Sequence, residues 1–352
     1  MLIRLETNSR TAIHEFQGRL NEWYKAERRK LPWREEVSVY RTVVSEFMCQ
    51  QTQISTVIPY FKRWMASFPD FQSLAAASEK SILKHWEGLG YYRRAQYLHA
   101  LAKSLVETPP PRTAEGWAKL PGVGPYTAAA IASIACGRAV ACVDGNVVRI
   151  LARIVGEESE FKSGTEAARH FSSLANALME DDNPGTHNQA MMELGATVCL
   201  RKKPLCTICP VREHCRAGTE GFADELPRIR RAKTIAQTVV RIWIVQRGRI
   251  LLHRRPDSSS RLASLHELPT ANQAGFNPKA FVNGRSITRK RSITRYRITE
   301  VINFPKSLNK SQKARARKNN CKWIPLKRLD KVTLSGPHRK WVGEILEKNG
   351  NG

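Results

Sequence analysis

Acidic residues are scarce in this chain. Only 31 Asp and Glu stand against 58 Lys and Arg, a formal net charge of +27 over 352 residues. That imbalance excludes a basic partner and points to a polyanion, nucleic acid first. A long apolar run is also missing, so no segment approaches the length of a membrane span. The stretch Met1 to Lys30 is charged throughout and lacks the apolar core of a secretory leader. The expectation is a soluble protein in a reducing compartment, where its eight cysteines do not build a disulfide framework. Disorder is excluded by a hydrophobic content of 41%, and a chain this long has room for two cores.

What is present falls into two regions. From Thr11 to Val198 apolar residues recur at helical spacing, as in Val43, Val44, Phe47 and Met48, or Val147, Ile150, Leu151 and Ile154. The breaks are rich in Gly and Pro: Gly88-Leu-Gly90, Pro109-Pro-Pro111 and Leu120-Pro-Gly-Val-Gly124. A four-cysteine segment at 199–215 closes this region, and the polar, basic stretch 217–233 follows. Beyond it the period changes. Residues 237–245 are β-branched and aromatic, Arg247-Gly248 is a turn, and residues 249–253 return as a strand, so a hairpin is expected. Further strands are read at 286–299 and 321–325, and a last helix at 337–346. The resulting division is a helical domain over 1–225, a linker over 226–236 and a smaller α+β domain over 237–352. Within the latter, Arg285-Ser-Ile-Thr-Arg289 repeats as Arg291-Ser-Ile-Thr-Arg295. An even period puts equivalent side chains on one face of a strand.

Four constellations carry chemistry. Cys199-x6-Cys206-x2-Cys209-x5-Cys215 places four thiolates where they can hold one [4Fe–4S] cluster. Zinc also takes four cysteines, but zinc ribbons show two CxxC knuckles and this segment has one. The remaining Cys49, Cys136, Cys142 and Cys321 read as ordinary thiols. The turn Leu120-Pro-Gly-Val-Gly124 precedes a small-residue helix, and backbone amides at such a start suit a phosphate. A GxG turn alone is more often a plain loop. Asp144-Gly-Asn146 opens the helix at Val147, where Asp144 reads as an N-cap, a reading compatible with catalysis. Glu46, Gln50 and Gln53 form a polar stripe on a helix spanning 41–60, which by composition alone is more often a solvated face than a site.

Taken in order, Leu31-Pro-Trp-Arg34, Ser45-Glu-Phe-Met-Cys-Gln-Gln-Thr-Gln53, Gly88-Leu-Gly-Tyr-Tyr-Arg93, Leu120-Pro-Gly-Val-Gly124, Val143-Asp-Gly-Asn146, Asn188-Gln-Ala-Met-Met-Glu-Leu-Gly195 and the cysteine loop resemble the adenine DNA glycosylases of the MutY family, in the helix-hairpin-helix superfamily. The resemblance continues more weakly through residues 262–269 and Gly336-Pro-His-Arg-Lys340. It implies a mainly α helix-hairpin-helix domain with an iron–sulfur loop, followed by a smaller α+β, Nudix-like recognition domain. It implies a monofunctional base excision repair enzyme that removes adenine opposite 8-oxoguanine or guanine, and a nucleoid-associated monomer.

Residue by residue, Glu46 looks like the acid that protonates adenine, Asp144 like the carboxylate beside the sugar cation, Tyr126 like the tyrosine that supports both, and Asn146 like the group that orients Asp144. Gln51 looks like the wedge in the base stack. Arg34, Tyr91, Arg93 and the turn Gly122, Val123 and Gly124 are implied DNA contacts. The four cysteines are implied cluster ligands.

Departures from the pattern bound the reading. Endonuclease III places a Schiff-base lysine where this chain has Tyr126, so strand cleavage is not expected. Thymine-specific relatives carry the tyrosine but lack the glutamate present here as Glu46. A non-catalytic iron–sulfur DNA-binding protein is the rival of another class, and both carboxylates argue against it. No acidic cluster in the second domain suits a Nudix Mg²⁺ site. The family reads 8-oxoguanine with an aromatic–Ser–His tripeptide, and the best match is Ile293-Thr294-Arg295, which lacks the aromatic and the histidine. Thr294 and Arg295 are the expected second-domain contacts.

Overall fold

The computed structural model describes residues 9–230, 233–256, 265–277, 284–293, 295–305 and 307–350. The chain forms two compact units, one of residues 1–76 and 97–231, the other of residues 77–96 and 232–352. The sequence boundary at 225 therefore moves to 231, and a segment from the helical region joins the second unit. The expected linker is partly structured, because residues 228–229 pair as a strand within the first unit.

The helices run in chain order as α1 (Ser9–Glu27), α2 (Pro32–Glu35), α3 (Val39–Cys49), α4 (Ile54–Ser67), α5 (Phe71–Ala76), α6 (Glu79–His85), α7 (Arg93–Glu107), α8 (Ala114–Ala118), α9 (Pro125–Ile134) and α10 (Gly145–Val155). Next come β1 (Glu160–Phe161), α11 (Gly164–His170), α12 (Ser172–Ala177), α13 (Pro184–Thr197), α14 (Arg216–Glu220) and β2 (Arg228–Ile229), which pairs in parallel with β1. Among the described residues no helix is long and apolar enough to cross a membrane.

The expected helix over 41–60 breaks in two. Gln50 leaves helical geometry as the C-cap of α3, Gln51 adopts φ 54°, and α4 restarts at Ile54. Glu46, Gln50 and Gln53 thus do not share one helical face. In the core of the first unit, Phe16, Leu20 and Tyr24 of α1 pack with Val147, Ile150 and Leu151 of α10 and with Ala190, Met191 and Leu194 of α13. This packing fixes α10, whose start carries Asp144. Helices α8 and α9 with their turn form the hairpin. Gly122 sits there at φ 75°, and a Cβ on it would lie 2.5 Å from the Tyr97 Cβ, so only glycine fits.

The second unit is built on two sheets. β3 (Ile235–Ile242) runs parallel to β8 (Tyr296–Asn303), which pairs antiparallel with β7 (Ser286–Ile293). The other sheet holds β4 (Val245–Gln246), β5 (Arg249–Arg254), β6 (His266–Glu267) and β9 (Cys321–Pro325). Helices α15 (Lys310–Lys318) and α16 (Gly336–Gly350) complete the unit. The expected hairpin exists only as β4–β5, closed by Arg247 at φ 50° and Gly248 at φ 66°. The long strand before it joins the other sheet, and the single strand read at 286–299 is a hairpin of two.

The repeated Arg-Ser-Ile-Thr-Arg unit behaves as its even period requires. Ile287, Arg289, Arg291 and Ile293 are half-buried along β7, while Ser286, Thr288, Lys290 and Ser292 are exposed. The inward arginines serve the fold. Arg241 on β3 and Arg291 on β7 both lie diagonally from Glu300 on β8, at 2.8 Å and 2.6 Å. Glu300 is fully buried, and these two cations pair with it. Arg241 also meets Glu267 at 3.3 Å, and Arg255 meets Glu267 at 2.9 Å. Burial alone would raise the Glu267 carboxyl, but the neighbouring His253 ring, 3.8 Å away, and the charges of Arg241 and Arg255 hold it far below the usual carboxylate range.

Removing one member of this network strands buried charge. Arg241→Ala should destabilise the second unit by about 3–5 kcal/mol, read as a lower denaturant midpoint for the fluorescence of Trp243 and Trp341. An unchanged midpoint would show that water reaches Glu300.

Candidate active site and cysteine cavity

Three elements of the first unit bring the predicted catalytic side chains together. Glu46 projects from α3, whose N-cap Ser38 accepts from the Arg41 amide and whose Val43, Val44, Phe47 and Met48 are buried. Tyr126 stands in the first turn of α9. The two helices are tied by a hydrogen bond of 3.1 Å from Gln50 Nε2 to Thr127 Oγ1. Asp144 caps α10 as expected. Its Oδ1 accepts from the Asn146 and Val147 amides at 2.8 Å each, and its Oδ2 accepts from Asn146 Nδ2 at 3.0 Å.

The two carboxyls live in different surroundings. Burial pushes Glu46 up to about 7, with the nearby Tyr126 hydroxyl lowering it, the Asp144 charge raising it and Arg34 lowering it, while the Tyr126 hydroxyl itself donates to Met192 Sδ at 3.6 Å. Burial also raises Asp144, but both backbone donors, Arg149 and the Asn146 amide oppose that rise. A site with one carboxyl tuned to hold a proton near neutrality and another supported as an anion can divide acid and anion roles. Burial, together with Glu46 and Asp144, pushes Tyr126 well above its ordinary range, so it remains a protonated donor.

Asn146 is itself held. Its Oδ1 accepts from Arg149 at 2.9 Å, and Arg149 also donates to the Gly195 carbonyl at 2.8 Å and the Cys199 carbonyl at 2.9 Å. A Cβ on Gly195 would lie 2.6 Å from the Asn146 Cβ, so the glycine lets α13 approach. Arg149 was not singled out from the sequence, where it reads as one more cation in a basic chain. Glu193 was also missed. It is fully buried and receives Arg29 at 2.7 Å and Arg34 at 3.0 Å. Burial would raise its carboxyl, but Arg29 and Arg34 outweigh that and hold it below the usual range.

That pairing shows where one expected DNA contact sits in the DNA-free chain. Arg34, expected against DNA, has a side chain only 9% exposed and turned toward Glu193, because a buried carboxylate needs cations. The other first-unit contacts stay open: Gln51 is exposed in the left-handed region, Gly122 and Gly124 are exposed, and Val123 is buried within the turn. In the second unit Tyr91 and Arg93 are exposed. Arg295 is exposed at the end of the β7–β8 hairpin, its guanidinium 5.6 Å from the Tyr296 ring centroid. That ring is an aromatic beside the expected tripeptide. Thr294 lies outside the described residues.

Cys199, Cys206, Cys209 and Cys215 line one small, partly open pocket, together with Arg153 and Gly218. Among the described residues no three His, Cys, Asp or Glu side chains gather closely enough for a single ion, but the four thiols share one pocket wall. Arg153 donates to Cys199 Sγ at 3.2 Å and the Gly218 amide to Cys215 Sγ at 3.3 Å. A Cβ on Gly218 would stand 3.2 Å from Cys215 Sγ and 3.9 Å from Cys206 Sγ, so the glycine keeps this wall clear. The donor set fits an iron–sulfur cluster.

Residues 44–176 match the profile of the HhH-GPD superfamily base excision DNA repair proteins. The chain is 46% identical over 219 residues to the adenine DNA glycosylase of Mus musculus, covering 58% of this chain and 42% of that protein. It is 41% identical over 207 residues to the adenine DNA glycosylase of Mycolicibacterium smegmatis, covering 58% of this chain and 69% of that protein. The match thus spans about two fifths of the mouse relative's length. A solved thermostable thymine-DNA glycosylase, 23% identical, shares the fold with a TM-score of 0.54 over 60% of this chain and 98% of that one.

Two outcomes follow from this geometry. A carboxyl whose folded pKa lies above its unfolded value stabilises fully below the unfolded value, and that share is lost as pH rises through the folded value of about 7. Glu46→Gln should therefore melt above the wild type at pH 8, with the gap shrinking below pH 5. Equal melting at pH 8 would mean a solvated carboxyl. Gly195→Ala should lower stability by roughly 1–3 kcal/mol through overpacking against Asn146, measurable by denaturant titration.

Proposed function

We propose, for a chain that belongs to the adenine DNA glycosylase family within the HhH-GPD superfamily, that it excises adenine mispaired with 8-oxoguanine or guanine in duplex DNA and does not cut the strand. The observation that carries this reading is the meeting of Glu46, Tyr126 and the capped Asp144 in one site, with Glu46 raised to about 7.

The chemistry is that of an N-glycosidic bond breaking through an oxocarbenium-like state. The target base must first leave the stack. Glu46, protonated at neutral pH, delivers its proton to a ring nitrogen of the departing adenine. Asp144 stays ionised beside the sugar because three donors hold its oxygens, and its charge stabilises the developing cation. Tyr126 donates toward Glu46 and, as a phenol, offers no amine for a Schiff base. Gln51, Tyr91, Arg93, Arg295 and the Gly122–Gly124 turn are the proposed DNA contacts, with Thr294 a proposed contact on sequence grounds alone. Cys199, Cys206, Cys209 and Cys215 would hold a [4Fe–4S] cluster, which supplies structural cross-linking of the loop when bound.

Glu46→Gln should lose single-turnover excision of adenine by at least about a hundredfold, the scale of a general acid, while duplex binding persists. The wild-type rate should fall as pH rises through about 7, the value to which Glu46 is raised, and that alkaline limb should vanish in the variant. A variant that excises at the wild-type rate would remove Glu46 from the mechanism. Anaerobically purified protein should contain about four irons and give broad visible absorbance. Stoichiometric zinc in its place would overturn the cluster. Borohydride should trap no covalent complex with DNA, and efficient trapping would place the chain with strand-cleaving enzymes.

A further inference from the structure

Residues 77–96 are separated from the rest of the second unit by more than a hundred positions in the chain, yet they fold with it. The contacts responsible are specific. Glu87 follows α6 and has a side chain only 8% exposed. Its Oε1 accepts from Arg339 Nε at 2.6 Å and from the Leu334 amide at 3.1 Å, and its Oε2 accepts from Lys84 at 2.6 Å. The Tyr92 hydroxyl donates to the Leu334 carbonyl at 3.0 Å. Arg339 is anchored in turn by the carbonyls of Leu329, at 2.9 Å, and Val332. Leu334, just before α16, and Arg339, in its first turn, thus grip both ends of the Gly88–Tyr92 loop.

The loop between those ends presents Tyr91. Gly88 and Gly90 have φ 109° and 74°, and Tyr91 itself has φ 46°, a conformation that side chains rarely adopt. Trp86 Nε1 donates to the Gly90 carbonyl at 3.0 Å, and Arg94 donates to the Leu89 and Gly90 carbonyls. The Arg94 guanidinium lies 5.5 Å from the Tyr91 ring centroid and 5.4 Å from that of Trp86. Tyr91 is 43% exposed, an aromatic held out to solvent on a backbone that needs external support. An exposed aromatic beside cations is suited to stack on a nucleobase.

We propose that the Arg339–Glu87 ion pair and the Tyr92–Leu334 hydrogen bond form a clasp that sets the Gly88–Tyr92 loop in the conformation presenting Tyr91, making Arg339 a positioning residue for contact with the base stack. The role rests on the DNA-glycosylase reading above. It assigns to Arg339 an action through Tyr91, without contact with DNA of its own.

A double-mutant cycle tests this. Wild type, Arg339→Ala, Tyr91→Ala and the double variant are titrated with a duplex carrying an uncleavable 2′-fluoro-adenosine opposite 8-oxoguanine, and with the fully paired duplex. Tyr91→Ala and Arg339→Ala should each reduce the preference for the mispaired duplex by about tenfold, the scale of one lost base–aromatic stack, and the double variant should be no worse than Tyr91→Ala. For Arg339→Ala the loss should fall on affinity more than on the single-turnover rate at saturating enzyme. Tyr92→Phe, which removes one hydroxyl, should give a smaller loss that is likewise masked by Tyr91→Ala, and it keeps the test open if Arg339→Ala unfolds. Additive losses, or an Arg339→Ala variant with unchanged preference, would overturn the clasp. Failure of the wild type to excise adenine would overturn the proposed function while leaving the binding cycle readable.

Discussion

The hydrogen bonds at the two ends of α10 are the constraint on which the first unit depends. At its start Asp144 accepts three hydrogen bonds, and two of them come from backbone amides that the helix leaves without partners. A turn later Arg149 ties Asn146 to the carbonyls of Gly195 and Cys199. A further turn on, Arg153 reaches Cys199 Sγ and the carbonyls of Leu200 and Leu226. One short helix therefore fixes the carboxylate at the site and the wall of the cysteine cavity. The same bonds that cap the helix oppose the rise that burial imposes on the Asp144 carboxyl, so local folding and electrostatics draw on one arrangement.

Glu46 shows the opposite treatment. Its helix ends one turn later, no side-chain hydrogen bond to its carboxyl is seen among the described residues, and burial dominates. The two carboxyls differ in that several donors meet Asp144 and burial governs Glu46. Arg34 contributes at a distance, since its guanidinium is engaged by Glu193 and only its field reaches Glu46.

Local features were legible in the sequence. Asp144 before an apolar helical run reads as a cap, the cysteine spacing reads as one site, and Gly122 reads as a turn, because each depends on neighbours within a few residues. The break at Gln50–Gln53 was hidden, since it contains neither Gly nor Pro and depends on packing around α3 and α4. The pairing of β3 with β8 was hidden too, because a parallel ladder between distant strands leaves no local signature. The same blindness hides the ion pairs of Arg34 and Arg291, whose partners Glu193 and Glu300 lie far along the chain or across a strand pair. The net charge overstates the surface available to a polyanion for the same reason. The grouping of residues 77–96 with the second unit rests on contacts to residues near 334 and 339, which no window along the chain contains.

The reach of Arg153 also sets an order on biosynthesis. Its guanidinium is 1% exposed and finds its acceptors only at Cys199, Leu200, Arg201 and Leu226. While the ribosome has delivered α10 but not those residues, the nascent helix carries an arginine that cannot be buried without leaving its donors unmet. The first unit can therefore close its core only after some seventy further residues have emerged. Until then the apolar face of α10 waits exposed, in the interval when a nascent chain depends on chaperones.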